Sequence, residues 1–565
     1  MSNAIPSRVS APWTYQAAPH SQDVFNTSSR DWSRLLLEAA VVTLIAASLY
    51  VGLQGELPYH DASRFTNQVT SGAPVWDIGH LLLQPFALVL QRLTQADPVF
   101  VLKELSSGAT AIAIGLFYVL LGRQGLSRWK AILGTLLLAG TCSVLTLAPS
   151  AHPKLVAFPF VTASLLCFCE IERAQRRPVA ALLIGSVLLA IAAAFLASAL
   201  ATAPFVALAV LFETRRSGQP WRIAVTQAAM VAATIGTAFL LLILVFYPLL
   251  TGQPLSLHGI IGSVAEKTDL MTQPSSLPVQ AARAVFGTAN NFVSMVGVGA
   301  TAQALMKGQI ASLRPYQELL PAFVTFVITL AVLAAVYLRA ALFVVTRRTL
   351  SIPIAFLCGA QAWSIWYGLN DPEHWFQLSA PIILLFLTLM PNWTVRSVFP
   401  AWTVLVIALN LVILAVPVAS YPLAHHQSAL ARMLAPGDRL VMFTAYPGRP
   451  STSFFHLPEE QTEQLDTMLL KATSSMPTVL DQIDADISRT LSQGGKVIVS
   501  DVFDSHDWEA PWMALLGLGV TKDRLYATLL HGRTATRLDD LGGIKLWQLR
   551  PSQAETTDAA GASHP

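Results

Sequence analysis

The apolar run LLLEAAVVTLIAASLYV (Leu35–Val51) gives way almost at once to a polar stretch, GELPYHDASRFTNQVTSGAPVWDIGHLLLQPFALVLQRLTQADP (Gly55–Pro98). The first is long enough to cross a hydrocarbon core as a helix, which takes roughly 17 to 25 apolar residues. The second carries His60, Asp61, Arg64, Asp77 and His80. A span followed by a loop dense in ionisable groups predicts chemistry at a membrane surface.

Composition extends that reading to the whole chain. Of 565 residues, 53% are hydrophobic and 12% charged, about half the charged share of an ordinary soluble protein. Further apolar runs of spanning length recur as far as Val418, which predicts a polytopic α-helical membrane protein. A formal charge of +3, with no run of Lys and Arg that makes a polyanion-binding arm, argues against a nucleic-acid partner. Cys142, Cys167, Cys169 and Cys358 all fall in apolar runs and suit neither a disulfide framework nor a zinc site.

Lys and Arg are retained on the cytoplasmic side, so basic turns orient the spans. Arg30 and Arg34 precede the first span, placing the polar tail 1–33 inside and the Asp61 loop (54–104) outside. That first span reads as an uncleaved anchor. The span Ser106–Leu121 returns to a turn with Arg123, Arg128 and Lys130. Ile78–Leu93 is interrupted by Gln84 and Pro85 and reads as a surface helix, because one more crossing would turn that basic turn outward.

Ala131–Leu147 then leads out to APSAHPK (Ala148–Lys154), and Leu155–Cys169 returns to ERAQRRP. Val179–Leu196 and Pro204–Phe212 make a pair ending at Arg215 and Arg216. Ala224–Tyr247 leaves for a long external loop, 251–318. Leu319–Val345 returns, Ile352–Leu369 exits to NDPEHW, Phe376–Met390 returns to Arg396, and Trp402–Val418 exits. This parse has about eleven spans across 34–422.

From about His425 the composition becomes that of a soluble domain. RLVMFT (Arg439–Thr444), KVIVSDVF (Lys496–Phe503) and IKLWQL (Ile544–Leu549) read as strands, with helical periodicity over Thr478–Leu491. The expectation is an extracytoplasmic α/β domain over 423–550 and a disordered tail, 551–565.

Three external segments then concentrate polar groups on one face. A carboxylate such as Asp61 is either a solvated loop charge or a general base for an acceptor hydroxyl. His60 would orient it, and Arg64 would pair with it or bind phosphate. Asp77 reads as a helix cap with His80 in the first turn; alternatively His80 lines the cleft beside Asp61. A divalent metal held by Asp61 and Asp77, with His80, is conceivable, although no specific metal spacing is present. In the second segment, His152 stands beside Lys154, which either snorkels to the interface or neutralises a phosphate. The third holds Asp371, Glu373 and His374, an ionisable cluster suited to an ion or phosphate, among Trp366, Tyr367 and Trp375, which suit an interfacial aromatic belt.

PYHDASRF, GHLLLQPFALVL, APSAHPKLVAFPF and NDPEHWFQLSAP together resemble the GT-C superfamily of integral-membrane glycosyltransferases, which use sugars carried on polyprenyl phosphate. The resemblance covers Leu35 to Val418. It implies that Asp61 is the catalytic base and that His80, His152, Lys154, Glu373 and His374 lie near the donor phosphate. It further implies a polyprenyl-phosphate sugar as donor, a glycan, lipid or protein acceptor, contact with membrane lipids, and a bacterial inner-membrane location. One departure is visible: Asp61 is followed by Ala62 and Ser63, where several members carry a paired acidic motif, and this leaves metal dependence open. Three rivals stand beside it: a lipid-linked glycan flippase or transporter, an O-antigen polymerase or ligase using the late loop, and a membrane scaffold without catalysis.

Overall fold

The computed structural model describes residues 32–55, 62–72, 75–171, 178–262, 277–294, 320–343, 351–367, 375–419, 429–430, 432–442, 461–465, 476–500, 502–503, 520–538, 541 and 545–552. Helix α1 (Trp32–Gly52) is followed by two short helices, α2 (Ala62–Ser71) and α3 (Leu83–Thr94). The twelve residues of α3 rise only about 18 Å, too little to cross a bilayer. Helix α4 (Pro98–Arg123) starts where Asp97 accepts from the amides of Val99 and Phe100, with Pro98 in its first turn.

Helix α4 crosses α1 closely, for a physical reason visible in one residue. A Cβ on Gly115 would overlap Thr43 Oγ1 of α1. In lipid, where apolar side chains gain little by leaving equally apolar tails, such small-residue contacts carry helix association.

The run read as one span over Ala131–Leu147 is broken into α5 (Arg128–Ala139) and α6 (Cys142–Leu147) at Gly140–Thr141. Asn410 Nδ2 donates to the Gly140 carbonyl at 2.8 Å, re-satisfying backbone that the break releases inside the bundle. Helix α7 (Phe158–Ile171) follows, then α8 (Pro178–Phe195), α9 (Ala203–Arg216) and α10 (Trp221–Thr251). Helix α10 ends at Gly252 in the left-handed region, φ 66°, a conformation that favours glycine at a helix end.

The stretch expected as an external loop over 251–318 differs from that expectation. Within it α11 (Leu277–Phe292) enters the bundle, and residues 287–294 are buried. It packs among α12 (Leu320–Phe343), α13 (Ser351–Tyr367) and α6. Helices α14 (Ser379–Leu389) and α15 (Asn392–Asn410) complete the bundle, α15 running into a single π-helical turn, Leu411–Ala415.

Among the described residues, six helical segments are long and apolar enough to cross a membrane: Trp32–Gly52, Pro98–Arg123, Ala197–Arg216, Trp221–Thr251, Leu320–Leu342 and Asn392–Ala415. The other expected spans fall on shorter or broken helices. Leu36, Leu37, Leu44, Leu240 and Leu241 are all exposed on α1 and α10. So broad an apolar surface belongs against lipid, and the chain is an integral membrane protein.

Beyond the bundle lies a five-stranded sheet, β1 (Arg439–Met442), β2 (Thr462–Gln464), β3 (Val497–Ser500), β4 (Arg533–Arg537) and β5 (Leu546–Pro551), in the order β2-β1-β3-β5-β4. Strand β1 is parallel to β2 and β3, whereas β5 is antiparallel to β3 and β4. All four residues of β3 are buried, as expected of the central strand of a mixed sheet covered on both faces. Helix α16 (Met476–Ser492) packs on one face of this sheet together with α17 (Lys522–Leu529).

Candidate functional site

The flanks of all three polar segments meet at one end of the bundle. Just past the end of α1 lies Gln54, whose Nε2 donates to Glu104 Oε1 and to Ser107 Oγ of α4, each at 3.1 Å. Lys103 Nζ donates to the Gly55 carbonyl at 2.6 Å. The entrance to the first loop is thereby fixed to the first turns of α4. One face of α4 then reaches the second segment: Ser106 Oγ donates to the Leu147 carbonyl at 3.0 Å and Ser107 Oγ to that of Ala148 at 2.9 Å.

The second segment folds as a tight turn into a 3-10 helix, Pro153–Ala157. His152 is fully buried and Lys154 is 3% exposed. Lys154 therefore does not snorkel to the surface. A buried ammonium is tolerated only where polar or charged groups compensate its lost hydration, so this turn is a built feature. Beyond it, the Phe158 ring meets Phe376 edge-on with centroids 5.4 Å apart, which brings the far side of the third segment alongside.

Trp375 is fully buried and lies flat against Gly287 of α11, where a Cβ would overlap its indole. Gln377 Nε2 donates to Ser198 Oγ at 2.6 Å, just past the end of α8. That end closes the ring. The Ala197 amide donates to the Gly79 carbonyl, that of Leu82 to the Ala194 carbonyl, and His80 Nδ1 lies 2.9 Å from the Phe195 carbonyl. His80 also sits edge-on to Phe65 of α2 at 5.0 Å.

Asp77 is buried and accepts the Gly79 amide at 2.8 Å. It shapes the turn and does not cap the helix, since α3 begins only at Leu83. Arg64 lies on the backbone of α2. His60, Asp61, Asp371, Glu373 and His374 lie outside the described residues, and so does the side chain of Arg64. Among the described residues, no three His, Cys, Asp or Glu side chains gather as a metal site. Asp77 keeps its turn-forming role, and the pairing of Asp61 with Asp77 lies outside what is described.

A cleft of about 480 Å³ opens at the same end, lined by Gln54, Gly55, Asp97, Val99, Phe100, Lys103 and Ala419. Lys103 and Glu104 were not singled out by the sequence, because two opposite charges opening an apolar helix look like an ordinary solvated turn. Asn291 falls in the stretch 251–318 that the sequence reads as a long external loop. Its amide bonds to Ser143 of α6 and Ser379 of α14, contacts no local pattern announces.

No protein-family model matches this sequence, and no curated protein matches it. Several solved structures resemble it at low similarity. One is ArnT from Cupriavidus metallidurans bound to undecaprenyl phosphate, at 12% identity and a TM-score of 0.47, covering 92% of this chain and 98% of that one. Another is the archaeal oligosaccharyltransferase AglB from Archaeoglobus fulgidus with an inhibitory peptide and a dolichol-phosphate, at 12% identity and a TM-score of 0.46, covering 93% and 75%. A third is the S. cerevisiae protein O-mannosyltransferase Pmt1-Pmt2 complex bound to its sugar donor, at 16% identity and a TM-score of 0.32. That match spans 38% of this chain and a third of the other, 33%.

Proposed function

We propose that this chain is a GT-C-type glycosyltransferase that moves a sugar from a polyprenyl-phosphate carrier to an acceptor hydroxyl at the outer face of the membrane. The observation that carries the reading is the meeting of the described flanks of three polar segments, far apart in sequence, at the end of the bundle away from the basic turns. Positive turns stay in the cytoplasm, so that meeting place faces outward. This orientation also puts the sheet that follows α15 outside.

In this reading Asp61 takes the proton of the acceptor hydroxyl as the new bond forms between that oxygen and the anomeric carbon. The bond from that carbon to the phosphate oxygen breaks, and polyprenyl phosphate leaves with the electron pair, inverting the anomeric centre. Negative charge grows on the departing phosphate. Preorganised cations and donors aimed at such charge are among the largest contributions a site can make. His80, His152, Lys154, Glu373 and His374 are assigned to the donor-phosphate side, with His60 and Arg64 beside the base. The acceptor is a glycan, lipid or protein.

The test is release of polyprenyl phosphate from a panel of polyprenyl-phosphate hexoses and pentoses by the reconstituted full-length protein. Asp61→Asn is expected to reduce turnover by about 10²–10⁴-fold, the usual worth of a positioned acid or base. Lipid-linked sugar crossing the vesicle without any release would replace this reading with a flippase. Release abolished by Arg283→Ala but untouched by Asp61→Asn would point to a polymerase-like site in the late loop.

A further inference from the structure

We infer that Asn291 is a positioning residue that sets the separation between the turn carrying His152 and Lys154 and the segment led by Trp375. Its kinetic consequence rests on the glycosyl-transfer reading above; its structural consequence rests on hydrogen bonds alone.

Asn291 is fully buried near the end of α11. Its Oδ1 accepts from Ser143 Oγ at 2.5 Å, and its Nδ2 donates to Ser379 Oγ at 2.7 Å. Ser143 belongs to α6, the six-residue helix that runs straight into the second polar turn. Ser379 opens α14, directly after Trp375–Leu378. One planar amide therefore holds the supports of two segments whose residues are assigned to the same phosphate. Its donor and acceptor are joined rigidly, so neither support can shift without straining the other.

Asn291 is itself held in place. Asn410 donates to the Phe292 carbonyl at 2.7 Å and accepts the Ser294 amide at 3.3 Å. One turn back along α11, Gly287 lets the backbone lie directly on Trp375. Gln361 fastens the same helix from α13, accepting from Thr288 Oγ1 and donating to the Ala284 carbonyl, each at 3.3 Å. The helix thus enters the bundle as a wedge, and Asn291 is the side chain of it that reaches both supports at once. Reacting groups placed about 1 Å wrongly by a change away from the chemistry can lose about a hundredfold in rate, which fixes the size of the expected effect.

The experiment uses the full-length protein in lipid, with two readouts: turnover of the polyprenyl-phosphate sugar, and hydrogen exchange at the amides of 148–157 and 375–379. Polyprenyl phosphate alone serves as the binding probe. Asn291→Ala is expected to lower turnover per folded molecule by about 10- to 100-fold, to leave Kd for polyprenyl phosphate within about threefold, and to speed exchange in both segments together. Asn291→Asp keeps the acceptor for Ser143 and loses the donor to Ser379, so faster exchange should be confined to 375–379. Adding Ser379→Ala to Asn291→Ala should cost nothing further, the non-additivity of groups acting as one unit.

Unchanged turnover in Asn291→Ala, or faster exchange in only one segment, overturns the inference. If Asn291→Ala does not fold, Ser379→Ala carries the same expectation for 375–379. A wild-type protein that transfers no sugar while Asn291→Ala still loosens both segments would overturn the glycosyl-transfer reading and leave the positioning role standing.

Discussion

The two ends of the helical bundle solve different problems with similar residues. At the end carrying the basic turns, guanidinium groups pair with carboxylates. Arg34 and Arg128 both approach Glu38, at 3.2 and 3.4 Å. Arg123 grips Glu170 through two bonds, at 2.7 and 2.5 Å, with its guanidinium 4.5 Å over the Trp32 ring. Arg216 pairs with Glu213, which also accepts from Ser351. Many of these groups keep contact with solvent, and pairs of that kind contribute little, about 0–1 kcal/mol each.

At the opposite end the polar side chains bond largely to main-chain carbonyls: Ser106, Ser107 and Lys103 all donate to backbone oxygens. His152 and Lys154 are buried there, and Asp77 is folded into a turn. One end uses charge to place helices across the membrane. The other uses hydrogen bonds to fix the course of loops. A catalytic surface needs the second kind of order, because a turn defined by its carbonyls holds side chains to a narrow geometry.

That contrast can be broken by substitution. The largest effect is expected at Lys154. Lys154→Met should lower turnover by about 100-fold or more while the protein stays folded, since in the proposed transfer it removes charge from the side where phosphate departs. Equal activity in the variant, measured as polyprenyl phosphate released, would reduce Lys154 to a packing residue.

Gly287→Leu comes next. Its side chain has to displace the Trp375 indole, and overpacking of this kind costs about 1–3 kcal/mol. Thermal unfolding in detergent should show a lowered midpoint, with turnover falling further than the folded fraction explains. A midpoint unchanged from wild type would mean that α11 does not press on Trp375 as described.

Gln54→Leu is expected to be milder. It removes two hydrogen bonds that hold the first loop to α4, and buried interhelical bonds in membranes average about 0.6 kcal/mol. Turnover should fall several-fold with little change in the unfolding midpoint. A loss confined to stability would place Gln54 with the helix-bracing residues.

The smallest effect on turnover belongs to the basic end. Glu170→Gln should leave turnover within about twofold, while the loss of a two-bond pair that is largely buried should cost about 1–3 kcal/mol of stability. A large loss of turnover from Glu170→Gln would erase the difference between the two ends.

How much of this was legible differs from residue to residue. Apolar runs announced the helices, because each must satisfy its backbone internally in lipid and so must be continuous. The break at Gly140–Thr141 was hidden, since its compensation comes from Asn410, 270 residues away. The interrupted apolar pattern near Pro85 argued against a crossing, and the helix there, α3, has twelve residues, too few to span. Helix α11 was misread as loop for a related reason. The stretch is apolar enough to lie on the membrane or cover a cleft, and no local pattern shows that Thr288, Asn290 and Asn291 are buried in the bundle.

Among the site residues, burial of His152 and Lys154 was not foreseeable from a Pro-flanked polar turn. His80 was expected beside Asp61, and its described contacts are the Phe195 carbonyl and the Phe65 ring. Asp61 itself lies outside the described residues.

By itself the sequence determined that this is a helical membrane protein, which turns carry positive charge, and which three segments are polar enough for chemistry. Each of these is a local property: hydrophobic length, charge bias and composition are written in consecutive residues. The tertiary structure alone decided that the flanks of those segments meet, and that a helix from a presumed loop wedges beneath one of them. Meeting is a property of pairs far apart in the chain. The bonds that enforce it, Asn291 to Ser143 and Ser379 and Asn410 to Gly140, join groups that no short pattern brings together.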